Sequence, residues 1–168
     1  MKAAGALVAI ALALALQTTL NRFMGSGFQV DLVLVAVVYI ALTNGPLGGM
    51  FAGSVAGLIQ DSLTTSFLGV GGLAKSIVGF FAGAFAQQFI VTATLPRLVM
   101  FLCATVVHSA VLMGLYYVLE ARAFPSPWRT IGSQALANAL VGMVAFAVIE
   151  AVPRMVERRR ASRRGSRL

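Results

Sequence analysis

Two neighbouring glycine-rich stretches decide how this chain folds. Residues 45–61 read GPLGGMFAGSVAGLIQD, and residues 75–87 read KSIVGFFAGAFAQ. Small or charged residues recur every fourth position in both: Gly45, Gly49, Gly53, Gly57 and Asp61 in the first, and Lys75, Gly79, Gly83 and Gln87 in the second. Residues four apart lie on one side of an α-helix. Each stretch therefore predicts a helix with a thin face that carries a charge at one end.

The two rows run in opposite senses along the chain, which predicts an antiparallel helix pair. Small residues let helix backbones approach closely inside a membrane, where apolar burial gives no driving force. We expect the glycine rows to pack together, with Gly57 level with Gly79 and Gly53 level with Gly83. In this register Asp61 faces Lys75. A lone charge costs roughly 2.5–3.5 kcal/mol on insertion scales, so we expect these two to form an intramembrane ion pair near the outer edge.

The composition of the whole chain is that of a membrane protein. Of its 168 residues, 59% are hydrophobic and 11% are charged, and the mean hydropathy is +0.90. A soluble domain has about 25% charged residues, so an ordinary soluble enzyme is excluded. The net charge of +8 does not indicate nucleic-acid binding, because it is concentrated in one tail and no basic structured face or aromatic platform accompanies it.

Charge-free apolar runs predict an all-α integral membrane protein, a bundle of six transmembrane helices within residues 1–153. A span needs about 20 apolar residues, and Thr43-Asn44-Gly45-Pro46 is a turn signal that divides one overlong run. The predicted spans are 3–20, 28–43, 46–63, 73–93, 98–120 and 131–152. The first is read as a retained helix rather than a signal peptide, because five further spans follow it.

An even number of spans places both termini on one side of the membrane. Seven arginines lie within residues 154–168, and basic loops face the cytoplasm, so we expect both ends to be cytoplasmic. The basic tail, residues 154–168, is predicted to be disordered. It serves either as a topology anchor that contacts anionic lipid or as a docking segment for a cytoplasmic partner.

A second stripe follows the predicted fourth helix. Phe81, Phe85 and Phe89 are four apart and lie about 200° from the Gly79 and Gly83 row at 100° per residue. One face of this helix is thus thin and the other bulky. The bulky face meets either lipid or a partner helix.

Residue patterns that indicate catalysis or cofactor binding are missing. His108 and Ser109 are adjacent in sequence and therefore do not face each other on a helix, so His108 is expected to be a hydrogen-bonded packing residue. Cysteine and histidine spacing does not suggest zinc, and no phosphate-binding motif is present. We therefore expect neither enzymatic activity nor a cofactor. Gln60, Gln87 and Asn138 either line a small polar site or bridge helices.

Residues 31–83 resemble the bacterial rod shape-determining protein MreD family. The matching segments are Asp31-Leu32-Val33-Leu34, Gly45-Pro46-Leu47-Gly48-Gly49, Gly57-Leu58-Ile59-Gln60-Asp61, Leu68-Gly69 and Ala74-Lys75-Ser76-Ile77-Val78-Gly79. The chain departs from the family pattern at Val30, where proline is frequent, and in its long arginine-rich tail. These motifs cover about a third of the chain, and the rest matches in hydrophobic outline.

The resemblance implies a non-catalytic scaffold in the bacterial inner membrane that helps maintain cell shape and organise peptidoglycan synthesis. Its implied partners are the transmembrane helix of MreC, and then RodA with its penicillin-binding transpeptidase; a second copy of the chain is a further candidate. The family is also similar in fold to the substrate-binding S components of ECF transporters. A small-molecule-binding transporter subunit is therefore the alternative, and it would need a polar cavity involving Gln60, Gln87 and Asn138.

Overall fold

The computed structural model describes residues 3–24, 30–64, 67–89, 94–119 and 127–165. These residues form five helices, α1 (Ala3–Met24), α2 (Leu32–Leu63), α3 (Val70–Gln88), α4 (Thr94–Val118) and α5 (Pro127–Gly165). Four of them, α2 to α4 and the stretch Ile131–Ile149 of α5, are long and apolar enough to cross a membrane. The apolar part of α1, Ala4–Leu20, is shorter. The all-α class is confirmed, whereas the predicted count of six spans is not.

The difference in number arises at the predicted turn between 28–43 and 46–63, which is a kink inside α2. Gly45 has φ 81° and ψ −174°, a combination that is essentially restricted to glycine. Pro46 follows it and lacks the N–H that a helix interior needs. A one-residue break of this kind leaves no loop, so the two predicted segments join as one element.

The two parts of α2 nevertheless fold back on each other at Gly45. Val33, Val37 and Ile40 share one hydrophobic cluster with Ala52 and Ala56. In a straight helix, residues 33 and 52 would be about 28 Å apart at 1.5 Å per residue. The first part, residues 32–44, is about 20 Å long and is shorter than the hydrocarbon core of about 30 Å.

Close backbone contact joins the second part of α2 to α3 in an antiparallel pair, as predicted. A methyl group on Gly49 would collide with the carbonyl oxygen of Gly79, and one on Gly53 with that of Lys75. Gly57 lies against Gly72, and Gly83 against Gly45. The five glycines that the sequence assigns to helix packing lie at this contact. The predicted register is wrong by eight residues, because Gly49 rather than Gly57 is level with Gly79.

The remaining helices pack on either side of this pair. Ile10, Ala13 and Leu14 of α1 join the cluster formed by the two parts of α2. On the opposite side, Phe101 of α4 and Phe146 of α5 pack against buried residues of α2 and α3. The α4–α5 contact is tight, because a methyl group on Gly142 would meet the Phe101 ring.

At the end of the chain, α5 is helical as far as Gly165. Extension of an existing helix avoids the cost of nucleation, and arginine, methionine and glutamate are good helix formers. The predicted disorder of residues 154–168 stays a prediction.

A buried polar cluster as the candidate functional site

Three ionisable side chains from three helices meet inside the bundle. Lys75 of α3 places its Nζ 2.8 Å from Oδ2 of Asp31, the residue that precedes α2. The same Nζ lies 3.3 Å from Nε2 of His108 on α4. All three side chains are buried, with 3–6% of each residue exposed. A charged group in such a position is a candidate functional residue by default.

Amide side chains from α1 and α5 complete the cluster around the start of α2. Gln17 of α1 donates from Nε2 to the Val30 carbonyl at 2.7 Å and accepts from the Leu32 N–H at 2.7 Å. Asn138 of α5 accepts the Asp31 N–H at 2.8 Å. Asp31 itself accepts the Leu34 N–H through Oδ1 at 2.9 Å. A helix start leaves its first N–H groups without partners inside the helix, and here side chains bond those of Asp31, Leu32 and Leu34.

The cluster residues on α3, α4 and α5 lie near the middle of their helices, whereas Asp31 lies at the start of α2. His108 is two residues from the middle of α4, and Asn138 is two residues from the middle of Ile131–Ile149. Lys75 is four residues from the middle of α3. At 1.5 Å per residue, all three lie within about 6 Å of the helix midpoints. All five helices therefore contribute to one polar centre.

The hydrogen bonds fix the proton on the histidine. A lysine ammonium group can only donate, so His108 Nε2 must accept, and the neutral ring then carries its proton on Nδ1. His108 Nδ1 is buried and has no hydrogen-bond partner in the part of the chain that the structure describes. With Asp31 negative, Lys75 positive and His108 neutral, the net charge of the cluster is zero. His108 is thus the buried, hydrogen-bonded residue that was predicted.

The predicted ion pair between Asp61 and Lys75 is replaced by a different arrangement. Oδ2 of Asp61 accepts the N–H groups of Gly69, Gly71 and Gly72 at 2.9, 2.9 and 3.2 Å. Gly69, the N-cap of α3, has no side chain to bond these groups. Asp61 therefore caps α3 from α2, while Lys75, one turn deeper, reaches Asp31.

Sequence reasoning placed Asp31 at the start of a short helix but did not pair it. The available signal was its position as the first acidic residue of the chain, at the edge of a long apolar run. Gln17 and Asn138 gave a similar signal as isolated amides in apolar segments. Because Asp31 and Asn138 are 107 positions apart, their meeting depends on the tertiary fold.

The three amides proposed for a small-molecule site do not come together. Asn138 is fully buried and bonded to the Asp31 N–H and, at 3.2 Å, to Thr105 Oγ1. Gln60 adjoins Asp61 near the start of α3, whereas Gln87 lies against Gly45 at the opposite end of the helix pair. Among the described residues, no group of three His, Cys, Asp or Glu side chains could hold a metal ion.

The predicted partner-facing stripe lies on the outer surface of the bundle. Phe81, Phe85 and Phe89 are 53–58% exposed, and the last two rings stack with their centroids 5.5 Å apart. They form one wall of a groove between α3 and α4 with a volume of about 510 Å³. Residues of α4, including Leu95, Val99 and Cys103, form the other wall.

Comparison with known proteins agrees with this membrane architecture and identifies its family. Neither a curated protein nor a solved structure matches the chain. The family model described as rod shape-determining protein MreD matches residues 3–151, which include α1 to α4 and the membrane part of α5. This match covers the buried cluster, the glycine rows and the phenylalanine stripe. The chain belongs to the MreD family of rod shape-determining proteins.

Proposed function

We propose that this chain is a non-catalytic scaffold in the bacterial inner membrane that binds the transmembrane helix of MreC. Through MreC it would help organise peptidoglycan synthesis by RodA and its penicillin-binding transpeptidase, and so maintain rod shape. The family match over residues 3–151 carries this proposal. The structure supports it by the way in which polar and apolar groups are distributed.

The polar groups of the buried cluster are directed toward one another rather than toward a substrate. The Lys75 ammonium group is shared between Asp31 and His108, and Asp31 is further bonded as a helix cap. Nδ1 of His108 has no partner among the described residues, but a network in which the other groups bond one another rigidifies the fold around it. This arrangement favours a fixed frame for other membrane proteins over a reaction centre.

The surface best suited to a partner helix is the ridge formed by Phe81, Phe85 and Phe89. Side chains at i and i+4 form the ridges that pack into the grooves of a neighbouring helix. The three rings project outward by more than half of their surface, so a partner can reach them without any change in the bundle.

For the membrane topology, we propose that α2 crosses twice by means of its reversal at Gly45, so that the chain makes six passes and both termini are cytoplasmic. The bilayer thins locally around the short first part, residues 32–44. The excess of arginine after residue 153 satisfies the positive-inside rule. Basic residues near an anionic leaflet contribute about 1 kcal/mol each, so the tail also attaches to lipid headgroups.

Depletion and co-purification test this function together. Depletion of the chain should convert rod-shaped cells to round cells, and MreC should co-purify with the full-length protein in mild detergent. Replacement of Phe81, Phe85 and Phe89 by alanine should reduce recovery of MreC and fail to restore rod shape. The matched control replaces Leu7, Leu12 and Leu16 of α1, which are 55–60% exposed, and should leave both unchanged.

Normal shape after depletion, together with no recovery of MreC, would overturn the proposal. Equal effects of the phenylalanine and leucine variants would contradict the assignment of the ridge as the docking surface. Thermal unfolding of both variants in detergent shows whether either has lost its fold.

A further inference from the structure

Two strongly exposed aromatic side chains with polar ring atoms lie at one end of the bundle. Tyr117 is the last residue but one of α4, and Trp128 is the second residue of α5. They are 83% and 81% exposed. The α2–α3 connection lies at the same end, because its Phe67 ring contacts Tyr116 with the ring centroids 6.4 Å apart. Phe67, Tyr117 and Trp128 together are called the aromatic rim.

The surface of α4 changes in character at the aromatic rim. Between the rim and the level of the buried cluster, its exposed residues are the apolar Val107, Ala110 and Gly114. Beyond the rim, the sequence that connects α4 to α5 contains the charged residues Glu120 and Arg122. A side chain that is apolar in its ring and polar at its tip is suited to the boundary between hydrocarbon and water.

The same change occurs along α5. Between residues 131 and 138, its exposed residues are Gly132, Ser133 and Leu136, and none of them is charged. At the start of the helix, Arg129 follows Trp128 in the sequence, and tryptophan and arginine are typical interfacial anchors of membrane helices. Both α4 and α5 thus pass from an apolar to a charged segment at the level of the rim.

The height of the aromatic rim above the buried cluster is nearly equal on the two helices. Tyr117 lies nine residues from His108, which is about 14 Å at 1.5 Å per residue. Trp128 lies ten residues from Asn138, which is about 15 Å. Half of the hydrocarbon core of a bilayer is also about 15 Å. On this side of the bundle, one leaflet of hydrocarbon therefore separates the rim from the cluster.

The corresponding height is smaller at the end of α1. Phe23 is 82% exposed and lies six residues, about 9 Å, beyond Gln17. Gln17 bonds the start of α2 at the level of the cluster. This lower position agrees with a bilayer that is thinner around the first part of α2.

We propose that the aromatic rim binds the phospholipid headgroup region of the leaflet that contains the α4–α5 connection. The rings of Tyr117 and Trp128 lie beside the lipid ester groups, and their O–H and N–H groups donate to ester and phosphate oxygens. Phe67 packs against the outermost part of the acyl chains. This contact goes beyond the scaffold function and does not depend on it. It fixes the depth of the bundle and holds the buried cluster near the bilayer midplane.

The single tryptophan of the chain reports this depth directly. The full-length protein is placed in vesicles of phosphatidylcholine that is brominated near the ester groups, in the middle or at the end of its acyl chains. Bromine quenches the fluorescence of an indole ring that it contacts. We expect the greatest loss of Trp128 fluorescence with bromine near the ester groups and the smallest loss with bromine at the chain end. Both leaflets contain bromine, so the orientation of the inserted protein does not affect the result.

The matched control moves the tryptophan along the same helix. The variant Trp128→Phe/Leu140→Trp places it twelve residues farther along α5, about 18 Å away and close in depth to Asn138. Leu140 is 57% exposed, so the new ring contacts lipid. Its fluorescence should decrease most with bromine at the chain end. The same order of quenching for both tryptophan positions would contradict the depth assigned to the cluster.

Three results with the unmodified protein would overturn the proposal. Greatest quenching by bromine at the chain end would place Trp128 near the midplane. Quenching by aqueous iodide, with none by any brominated lipid, would place the rim in water. Weak quenching by both reagents would show that a second copy of the chain, rather than lipid, covers Trp128.

Discussion

At the scale of single residues, the position of Lys75 dominates the energetics. Its ammonium group lies close to the helix midpoints, with Asp31 at 2.8 Å and His108 at 3.3 Å. Removal of one partner from a buried ion pair is strongly destabilising, whereas replacement of both by apolar or neutral groups is often tolerated. The reason is that the remaining charge, not the missing attraction, carries most of the cost.

Substitution of Lys75 by methionine should destabilise the fold by about 3–5 kcal/mol, because Asp31 remains buried without its counter-charge. The double variant Asp31→Asn/Lys75→Met should lie closer to wild type than Lys75→Met alone. Asparagine keeps an oxygen for the Leu34 N–H and removes the negative charge. The measurement is unfolding of the detergent-solubilised protein by SDS titration, with the exposed Arg22→Met as control. If the losses of unfolding free energy in the two single variants simply add in the double variant, Asp31 and Lys75 do not interact as a pair.

Glycine at position 53 has a defined role in packing. A methyl group there would lie 2.5 Å from the Lys75 carbonyl carbon and 2.7 Å from the Ser76 nitrogen, and backbone atoms cannot rotate away. Gly53→Ala should therefore cost about 1–3 kcal/mol, as overpacking of a tight interface does.

The matched control is Gly132→Ala, because nothing lies within 4 Å of a methyl group at that helical position. It should be neutral or stabilising by up to about 1 kcal/mol, the difference in helix propensity between the two residues. Thermal unfolding in the same detergent compares the two. Similar losses at both positions would contradict the proposed contact.

At the scale of helices, the glycine rows predicted the correct partners but an incorrect register. A four-residue repeat matches itself again after a shift of one or two steps, so spacing alone does not set the offset; the observed shift is two steps. The choice of Asp61 opposite Lys75 relied on charge. The charge pattern does not show that three N–H groups at the start of α3 compete with Lys75 for the Asp61 carboxylate.

The other helix-scale differences have similar causes. The Thr43–Pro46 signal correctly marked a break, but spacing does not reveal that Gly45 alone produces it. Apolar runs predicted helices close to α3 and α4. The meeting of Asp31, Lys75 and His108 could not be predicted, because it requires contacts between three separate helices.

Substitution of Asp61 tests its role as a cap. Asp61→Ala leaves three N–H groups of α3 without their acceptor and should cost about 2 kcal/mol, at the upper end for a lost cap. Asp61→Asn retains one acceptor oxygen and should cost less. In a double-mutant cycle with Lys75→Met, Asp61→Asn should show coupling below about 0.5 kcal/mol, as expected of independent sites. Strong coupling would instead indicate that Asp61 and Lys75 interact directly, as the sequence predicts.

At the scale of the whole molecule, a folded-back α2 and a closed polar centre produce a bundle whose outer surface is apolar. The outward-facing side chains include large hydrophobic residues on every helix. Because few polar groups face outward, the bundle contacts lipid and other helices mainly through the fit of apolar side chains. The proposed scaffold function therefore assigns partner binding to a surface such as the phenylalanine ridge.

Reporter fusions test the six-pass topology. Green fluorescent protein should fluoresce at either terminus, and alkaline phosphatase should be inactive at both, because six crossings return the chain to the cytoplasm. If α2 instead crossed once, the termini would lie on opposite sides of the membrane. At one terminus, alkaline phosphatase would then be active and green fluorescent protein would not fluoresce. Alkaline phosphatase fused after residue 124, in the segment between α4 and α5, is the positive control and should be active.

The cluster also sets an order of events during synthesis. Asp31 leaves the ribosome 44 residues before Lys75, and Asn138 follows Asp31 by 107. At about 5–20 residues per second, the aspartate waits about 2–9 s for its counter-charge and longer for its amide partner. The last helix to be made thus supplies a hydrogen bond to the start of the second, so the polar centre is complete only after α5 has been synthesised.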